Sequence, residues 1–306
     1  MDKMVEVEGL SKTYGTTIAV DNLSFSVDKG EIFGMVGPNG AGKTTTMECL
    51  EGLRKPDRGF IRTLGVDPQQ DSKFIKSRTG MQLQQSNLPE RMKVWEALDL
   101  YSSFYAKPAD WRDLLSQLGL EEKRNTAFSK LSGGQKQRLF IAMALLPDPD
   151  LIFLDELTTG LDPQARHAIW DLIRSVQSKG KTILLTTHFM EEAERLCDRV
   201  AILDHGQLVA MDTPSALVHS LGKEERIVFR TQNALPMAFE KAFSGTTRVE
   251  KQGETIIIHG NSDHSPLVVE VVNQLASQGI QFQDLHTEQA TLEDVFLKLT
   301  GRQMRD

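Results

Sequence analysis

Only two cysteines, Cys49 and Cys197, occur in 306 residues. They are too few and too far apart for a disulfide framework or a zinc site, which fits a reducing compartment. No stretch approaches the ~18 apolar residues of a membrane-spanning helix. The longest apolar run, Leu139 to Leu146, predicts a buried core helix instead. The opening MDKMVEVEGL alternates like a strand and has no apolar signal-peptide core. Lys/Arg-rich runs are also missing, and the formal net charge is −7. Nucleic acid is therefore not an expected partner. Repeats and low-complexity tracts are absent. With 40% hydrophobic and 25% charged residues, disorder and fibrous architectures are excluded. At ~100–200 residues per domain, the length suggests two domains.

What is present reads first as alternating strands. Val5 and Val7 alternate, as do Phe25 and Val27, and Asp28-Lys29-Gly30 is a turn before the run Glu31 to Val36. Thr44 to Leu53 carries helix formers. From Met92 to Leu146 the period becomes helical, with Val94, Leu98, Tyr101 and Tyr105 on one face and Trp111, Leu114, Leu115 and Leu118 on another. Leu151–Leu154 and Thr182–Leu185 are short apolar runs flanking a helical segment, Gln164 to Ser178. That order predicts a βαβ unit and a parallel sheet. Val200 to Ala210 reads as a hairpin. A boundary falls near Ser220 to Glu225. Beyond it the expected order is strand (Arg226 to Arg230), helix, strand, strand (Thr255 to His259), helix (Pro266 to Gln278), strand (Ile280 to Leu285) and helix. Leu292, Val295, Phe296 and Leu299 form a stripe on the last helix, with Thr291 as its N-cap.

The strongest local signal is Gly37-Pro38-Asn39-Gly40-Ala41-Gly42-Lys43-Thr44-Thr45, placed between a predicted strand and a predicted helix. Glycines allow backbone N–H groups to turn inward around phosphate oxygens. Lys43 supplies a point charge to the β and γ phosphates, and Thr44 a hydroxyl to Mg²⁺. A chance match is expected in roughly one chain in a hundred of this length. The second signal is Leu151-Ile152-Phe153-Leu154-Asp155-Glu156, a buried strand ending in two carboxylates. Asp155 is placed to hold the Mg²⁺ shell and Glu156 to deprotonate an attacking water.

Those two motifs alone fit any phosphate-loop ATPase. Leu131-Ser132-Gly133-Gly134-Gln135 narrows the class, because LSGGQ is the signature of ATP-binding cassette (ABC) ATPases, and the chain resembles the nucleotide-binding subunit of an ABC transporter. The resemblance implies an α/β fold of the P-loop NTPase, ABC-ATPase type: a mixed sheet core, an antiparallel β subdomain and a helical subdomain. A nucleotide-binding domain over 1–220 is implied, with the helical subdomain at about 84–145 and a small C-terminal α+β domain over 221–306. It also implies that Tyr14 stacks on adenine. Gln84, flanked by Gln82 and Gln85, is implied to sense Mg²⁺ and the γ-phosphate. Asp162 of Gly160-Leu161-Asp162 matches the D-loop, and His188 the switch histidine on the γ-phosphate. Two cassettes would meet head to tail, with ATP on Lys43 of one capped by Ser132 and Gly134 of the other, and with Gly133 and Gln135 counted among the nucleotide-binding residues. Those signature residues are expected at the N-terminus of a helix running from Gln135.

One departure is visible: the family usually has proline after the catalytic glutamate, and this chain has Leu157. It puts D-loop stiffness and hydrolysis rate in question, not nucleotide binding. The tail, ending Thr291-Leu292-Glu293-Asp294-Val295-Phe296-Leu297-Lys298-Leu299-Thr300-Gly301, resembles single-cassette subunits that pair with a separate polytopic permease. The resemblance therefore implies an ATPase at the cytoplasmic face of the cell membrane, energising export of a small molecule, drug, lipid or glycan with ATP and Mg²⁺. Its partners would be a membrane permease and a second cassette, identical or paralogous, with no nucleic acid. The alternatives are an importer cassette, or a soluble ABC ATPase acting on ribosomes or DNA.

Overall fold

Apolar runs too long for alternation must be covered on both faces, and here they form the centre of a mostly parallel sheet. The computed structural model describes residues 2–82, 87–222, 224–232, 246–261 and 266–301. It divides into two compact units, one over residues 1–214 with the C-terminal tail, the other over 215–299.

The first unit begins with β1 (Lys3–Tyr14), β2 (Thr17–Asp28) and β3 (Ile32–Val36), then α1 (Lys43–Leu50) and β4 (Arg58–Thr63). Next come α2 (Ser72–Arg78), β5 (Thr79–Gln82), α3 (Val94–Ser102), α4 (Trp111–Gln117), α5 (Gly133–Leu145) and β6 (Leu151–Asp155). It continues with α6 (Pro163–Gln177), β7 (Thr182–Thr187), α7 (Met190–Leu196), β8 (Arg199–Asp204) and β9 (Gln207–Asp212). β1, β2 and β4 form an antiparallel sheet in the order β2-β1-β4. The other six strands run β5-β6-β7-β3-β8-β9, parallel except for the β8–β9 hairpin. Every residue of β3, β6 and β7 is buried, as expected of parallel strands covered on both faces. One core joins the two sheets, with Val5, Val7, Leu10, Phe25 and Val27 packed together with Phe33, Met35, Met47, Phe153 and Leu184.

The parallel register lines up the strand ends where the loops emerge. Val36 pairs with Thr187, and Asp155 with Thr186. The glycine-rich loop, the two carboxylates and His188 therefore leave the sheet at the carboxyl end of its parallel strands, where α/β folds bind ligands.

The second unit holds α8 (Pro214–His219), β10 (Glu224–Arg230), β11 (Thr246–Gln252), β12 (Thr255–Asn261), α9 (Leu267–Ser277), β13 (Gln283–Glu288) and α10 (Leu292–Thr300). Its sheet is antiparallel in the order β11-β12-β10-β13. α9 lays Leu267, Val271 and Leu275 on Ile227, Phe229, Ile256 and Ile258. Among the described residues no helix is long and apolar enough to cross a membrane.

Four local expectations change. The face expected to include Tyr105 ends earlier, because α3 stops at Ser102. There the hydroxyls of Ser102 and Ser103 donate back to the carbonyls of Asp99 and Leu100 at 2.7 and 2.6 Å, competing with the backbone. The strand expected from Ile280 begins at Gln283, since the Ile280 N–H closes the end of α9 on the Leu275 carbonyl and its side chain packs with the α9 core. Thr291 does not cap α10 by accepting. Its N–H and hydroxyl donate to the Asp294 carboxylate at 2.9 and 3.1 Å. The helix carrying the signature starts at Gly133, not Gln135. The helix expected after Arg230 falls largely on residues outside those described.

Candidate nucleotide site

The loop after β3 is held close to the sheet. A Cβ on Gly37 would lie 2.2 Å from the Leu203 carbonyl oxygen, and one on Gly42 would lie 2.4 Å from that of Ala19. Gly42 also takes φ +94°, a region closed to most side chains. It sits immediately before α1, so the first turn of that helix points its free N–H groups into the loop.

Lys43, the first residue of α1, is buried. Its Nζ donates to the carbonyls of Gly37 at 2.7 Å and Pro38 at 3.1 Å and lies 3.5 Å from Glu156 Oε1. Burial lowers the pKa of this ammonium below its ordinary value, while Glu156 acts in the opposite sense. Thr44 Oγ1 donates to the Asp155 carboxylate at 3.1 Å, and the Thr186 hydroxyl donates to the same group. Burial raises the Asp155 pKa against those hydrogen bonds. Two neighbouring oxygen donors, the Thr44 hydroxyl and a buried carboxylate, are the hard ligands that Mg²⁺ takes together with water and phosphate oxygens. The donor set fits.

Glu156 leaves β6 in the left-handed region, φ +47°, an uncommon conformation for a non-glycine residue that here turns the carboxylate toward the loop. The Glu156 N–H is held by the Thr186 carbonyl and hydroxyl, both at 3.1 Å. His188 Nδ1 lies 3.5 Å from Glu156 Oε1. One carboxylate thus faces both Lys43 and His188. Phe189 follows with its ring 4.1 Å from that of His188, and the Arg166 guanidinium sits 4.2 Å over Phe189.

The structure brings Gly37, Lys43, Thr44, Asp155, Glu156 and His188 into one cluster, and Thr186 joins it. Pro38, Asn39, Gly40, Ala41, Gly42 and Thr45 make up the rest of the loop and the start of α1. Ser132 and Gly133 instead face solvent. Ser132 caps α5, accepting from Gln135 N–H at 3.3 Å while Gln135 Oε1 accepts from Ser132 N–H at 3.0 Å. Gly133 and Gly134 are the first two helical residues, so their N–H groups are among those left free. Asp162 caps α6, accepting from Ala165 N–H at 2.8 Å. Tyr14 ends β1 with 39% of its surface exposed, its ring 5.1 Å from the Arg54 guanidinium. Gln84 lies outside the described residues.

Sequence reasoning passed over Thr186, although a Thr-Thr pair ending a buried strand was there to be read. It also passed over Glu51, a fully buried carboxyl at the end of α1 whose two oxygens have no hydrogen-bond partner among the described residues.

Residues 20–159 match the family model described as ABC transporter. A Nod factor export ATP-binding protein I of Ralstonia nicotianae is 43% identical over 99% of this chain and 95% of its own. Its namesake in Mesorhizobium japonicum is 41% identical over 99% of this chain and 88% of its own. Among solved structures, the ATP-binding subunit of an ABC transporter superimposes with TM-score 0.64 at 32% identity, covering 72% of this chain and 93% of that one. A dimeric cassette in a post-hydrolysis state, bound to ADP and Pi, gives TM-score 0.61 at 28% identity over 69% of this chain and 98% of its own.

Proposed function

Since the chain belongs to the ABC transporter family, as its ATP-binding, ATP-hydrolysing subunit, we propose that it energises export through a separate polytopic membrane permease. The observation that carries the chemical part is the convergence of Lys43, Glu156 and His188, with Thr44 and Asp155 alongside. In this reading residues 1–220 are the nucleotide-binding domain and 221–306 a small C-terminal domain.

The loop N–H groups and Lys43 bind the phosphates, and Tyr14 offers its exposed ring to adenine. Lys43 exchanges the carbonyls of Gly37 and Pro38 for phosphate oxygens, at little cost because each donor keeps an acceptor. Thr44, Asp155 and Gln84 are the residues proposed to hold Mg²⁺. When bound, the ion supplies charge to offset that building on the phosphates. Glu156 accepts the proton of the attacking water. His188, on its other side, donates a hydrogen bond to the γ-phosphate and keeps the carboxylate aimed. The free N–H groups of Gly133 and Gly134, with the Ser132 hydroxyl, serve the γ-phosphate of a second cassette, where a helix N-terminus favours an anion. Asp162 lies at the same interface. The functional unit is then a pair of cassettes seated on the permease at the cytoplasmic face of the membrane. The names of the relatives support export as the direction. Cargo selection belongs to the permease, with small molecule, drug, lipid or glycan as the classes in view.

Affinity capture tests this reading. A tagged Glu156→Gln chain is isolated from native membranes in mild detergent with Mg-ATP, and its companions are identified by mass spectrometry. A co-purifying polytopic permease of export type is the expected result. Ribosomes or nucleic acid without a membrane protein, or a permease with a solute-binding subunit, would overturn it.

A further inference from the structure

The proline that usually follows the catalytic glutamate is replaced by Leu157, so no ring fixes the backbone leaving Glu156. The turn is nevertheless buried. Leu157 is 3% exposed and Thr158 is fully enclosed. Its backbone bonds are short-range: Thr159 N–H to the Glu156 carbonyl at 3.2 Å and Leu161 N–H to the Thr158 carbonyl at 3.2 Å. Beyond the Glu156 N–H, which Thr186 holds, a second long-range anchor is a side chain. Thr158 Oγ1 donates to Glu192 Oε1 at 2.8 Å, and the same oxygen accepts the indole N–H of Trp170 at 2.8 Å. Glu192 is 2% exposed and Trp170 1%.

The three residues belong to three elements that meet the site at different points. Thr158 lies two residues past Glu156. Trp170 is on α6, which opens at Asp162. Glu192 is on α7, which opens directly after His188 and Phe189. One carboxylate oxygen therefore ties the backbone behind the general base to the helix behind the switch histidine. A buried carboxylate is costly unless well partnered, so a mere filler here would be apolar.

We propose that Glu192 is a positioning residue for hydrolysis: through the Thr158 hydroxyl it fixes the turn after Glu156 against the helix that follows His188, doing the stiffening that the missing proline would do. It touches neither nucleotide nor water and acts only through the backbone. The inference rests on Glu156 and His188 acting as proposed above.

The test compares Thr158→Val, Thr158→Ser, Glu192→Gln and Trp170→Phe in the full chain, each measured for ATP affinity, steady-state ATPase and melting temperature. Thr158→Val removes the hydroxyl at constant shape. It is expected to keep ATP affinity and KM while kcat falls about tenfold or more, since loosening a catalytic group by an ångström costs up to ~100-fold. Thr158→Ser and Glu192→Gln keep donor and acceptor and are expected to restore the rate. Trp170→Phe removes only the other donor and is expected to lower the melting temperature while leaving kcat within about twofold. A folded Thr158→Val chain turning over at the parental rate overturns the proposal. So does a loss of kcat in all variants that simply follows melting temperature. A parent chain with no ATPase at all would instead overturn the assignment of Glu156.

Discussion

Glu51 makes the stability of the nucleotide-binding unit depend on pH in a direction opposite to that of most carboxylates. Its side chain is 0% exposed and neither oxygen has a hydrogen-bond partner among the described residues. Burial, with added repulsion from Asp155 and Glu48, pushes its pKa from 4.5 up to about 8. In the unfolded chain the group ionises near 4.5, whereas in the folded chain it keeps its proton until about 8. Folding therefore takes up a proton across that window, and stability falls as pH rises. The slope is at most ~1.4 kcal/mol per pH unit, and the loss is complete above the folded pKa. Summed over the window, this is roughly 5 kcal/mol, an upper bound because relaxation and water entry reduce the cost of a buried ion. Glu51→Gln keeps the shape and removes the titration. Denaturant unfolding of both chains from pH 5 to 9, followed by tryptophan fluorescence, should give nearly equal stability at pH 5. At pH 9 the Gln variant should lead by several kcal/mol. A difference between the two chains that does not change with pH would show that Glu51 takes up no proton on folding.

Other perturbations probe the loop and the core. Gly37→Ala drives a Cβ to 2.2 Å from the Leu203 carbonyl, so the phosphate loop must shift, and ATP affinity is expected to fall at least ~10-fold when measured by fluorescent-nucleotide titration. Lys43→Ala removes the buried cation that bridges the loop carbonyls and Glu156. Mg-ATP binding is expected to weaken by ~2 kcal/mol or more, read by calorimetry. Arg226→Ala leaves Asp294 without its 2.6 Å partner. Burial alone would raise the Asp294 pKa, and the bonds from Thr291 and Arg226 outweigh it. The parental carboxylate thus contributes stability above its unfolded pKa, lost as pH falls through the lower folded one. The variant is expected to lose ~1–2 kcal/mol at neutral pH and less at acid pH, by thermal unfolding.

The parallel α/β core was legible from local pattern because its elements are consistent locally, whereas its ABC-ATPase type was implied only by the resemblance that Leu131-Ser132-Gly133-Gly134-Gln135 carries. Leu151–Leu154 and Thr182–Leu185 have the length and branching of strands that only two-sided burial accommodates. The hairpin at Asp204-His205-Gly206-Gln207 carries its own turn residues, with His205 and Gly206 both at positive φ. What stayed illegible depends on distant partners. Nothing near Glu192 announces that Thr158 and Trp170 share its oxygen, because those contacts exist only after α6 and α7 pack. Glu51 follows Leu50 at the end of α1, and nothing in Leu50-Glu51-Gly52 announces that tertiary packing buries the carboxyl. Thr291 had the right side chain for a cap, but Asp294 reaches back as the acceptor and is itself held by Arg226.

In the proposed function Glu156, facing Lys43 and His188 across one carboxylate, is the general base of an ATPase that works as a pair of cassettes. The most direct measurement is the Glu156→Gln chain in Mg-ATP, read for bound nucleotide, phosphate release and molecular mass in one preparation. Retained ATP, turnover reduced by at least ~100-fold and a mass shift from monomer to dimer are expected. Phosphate release within a few-fold of the parental rate, from a folded chain, would contradict that role of Glu156.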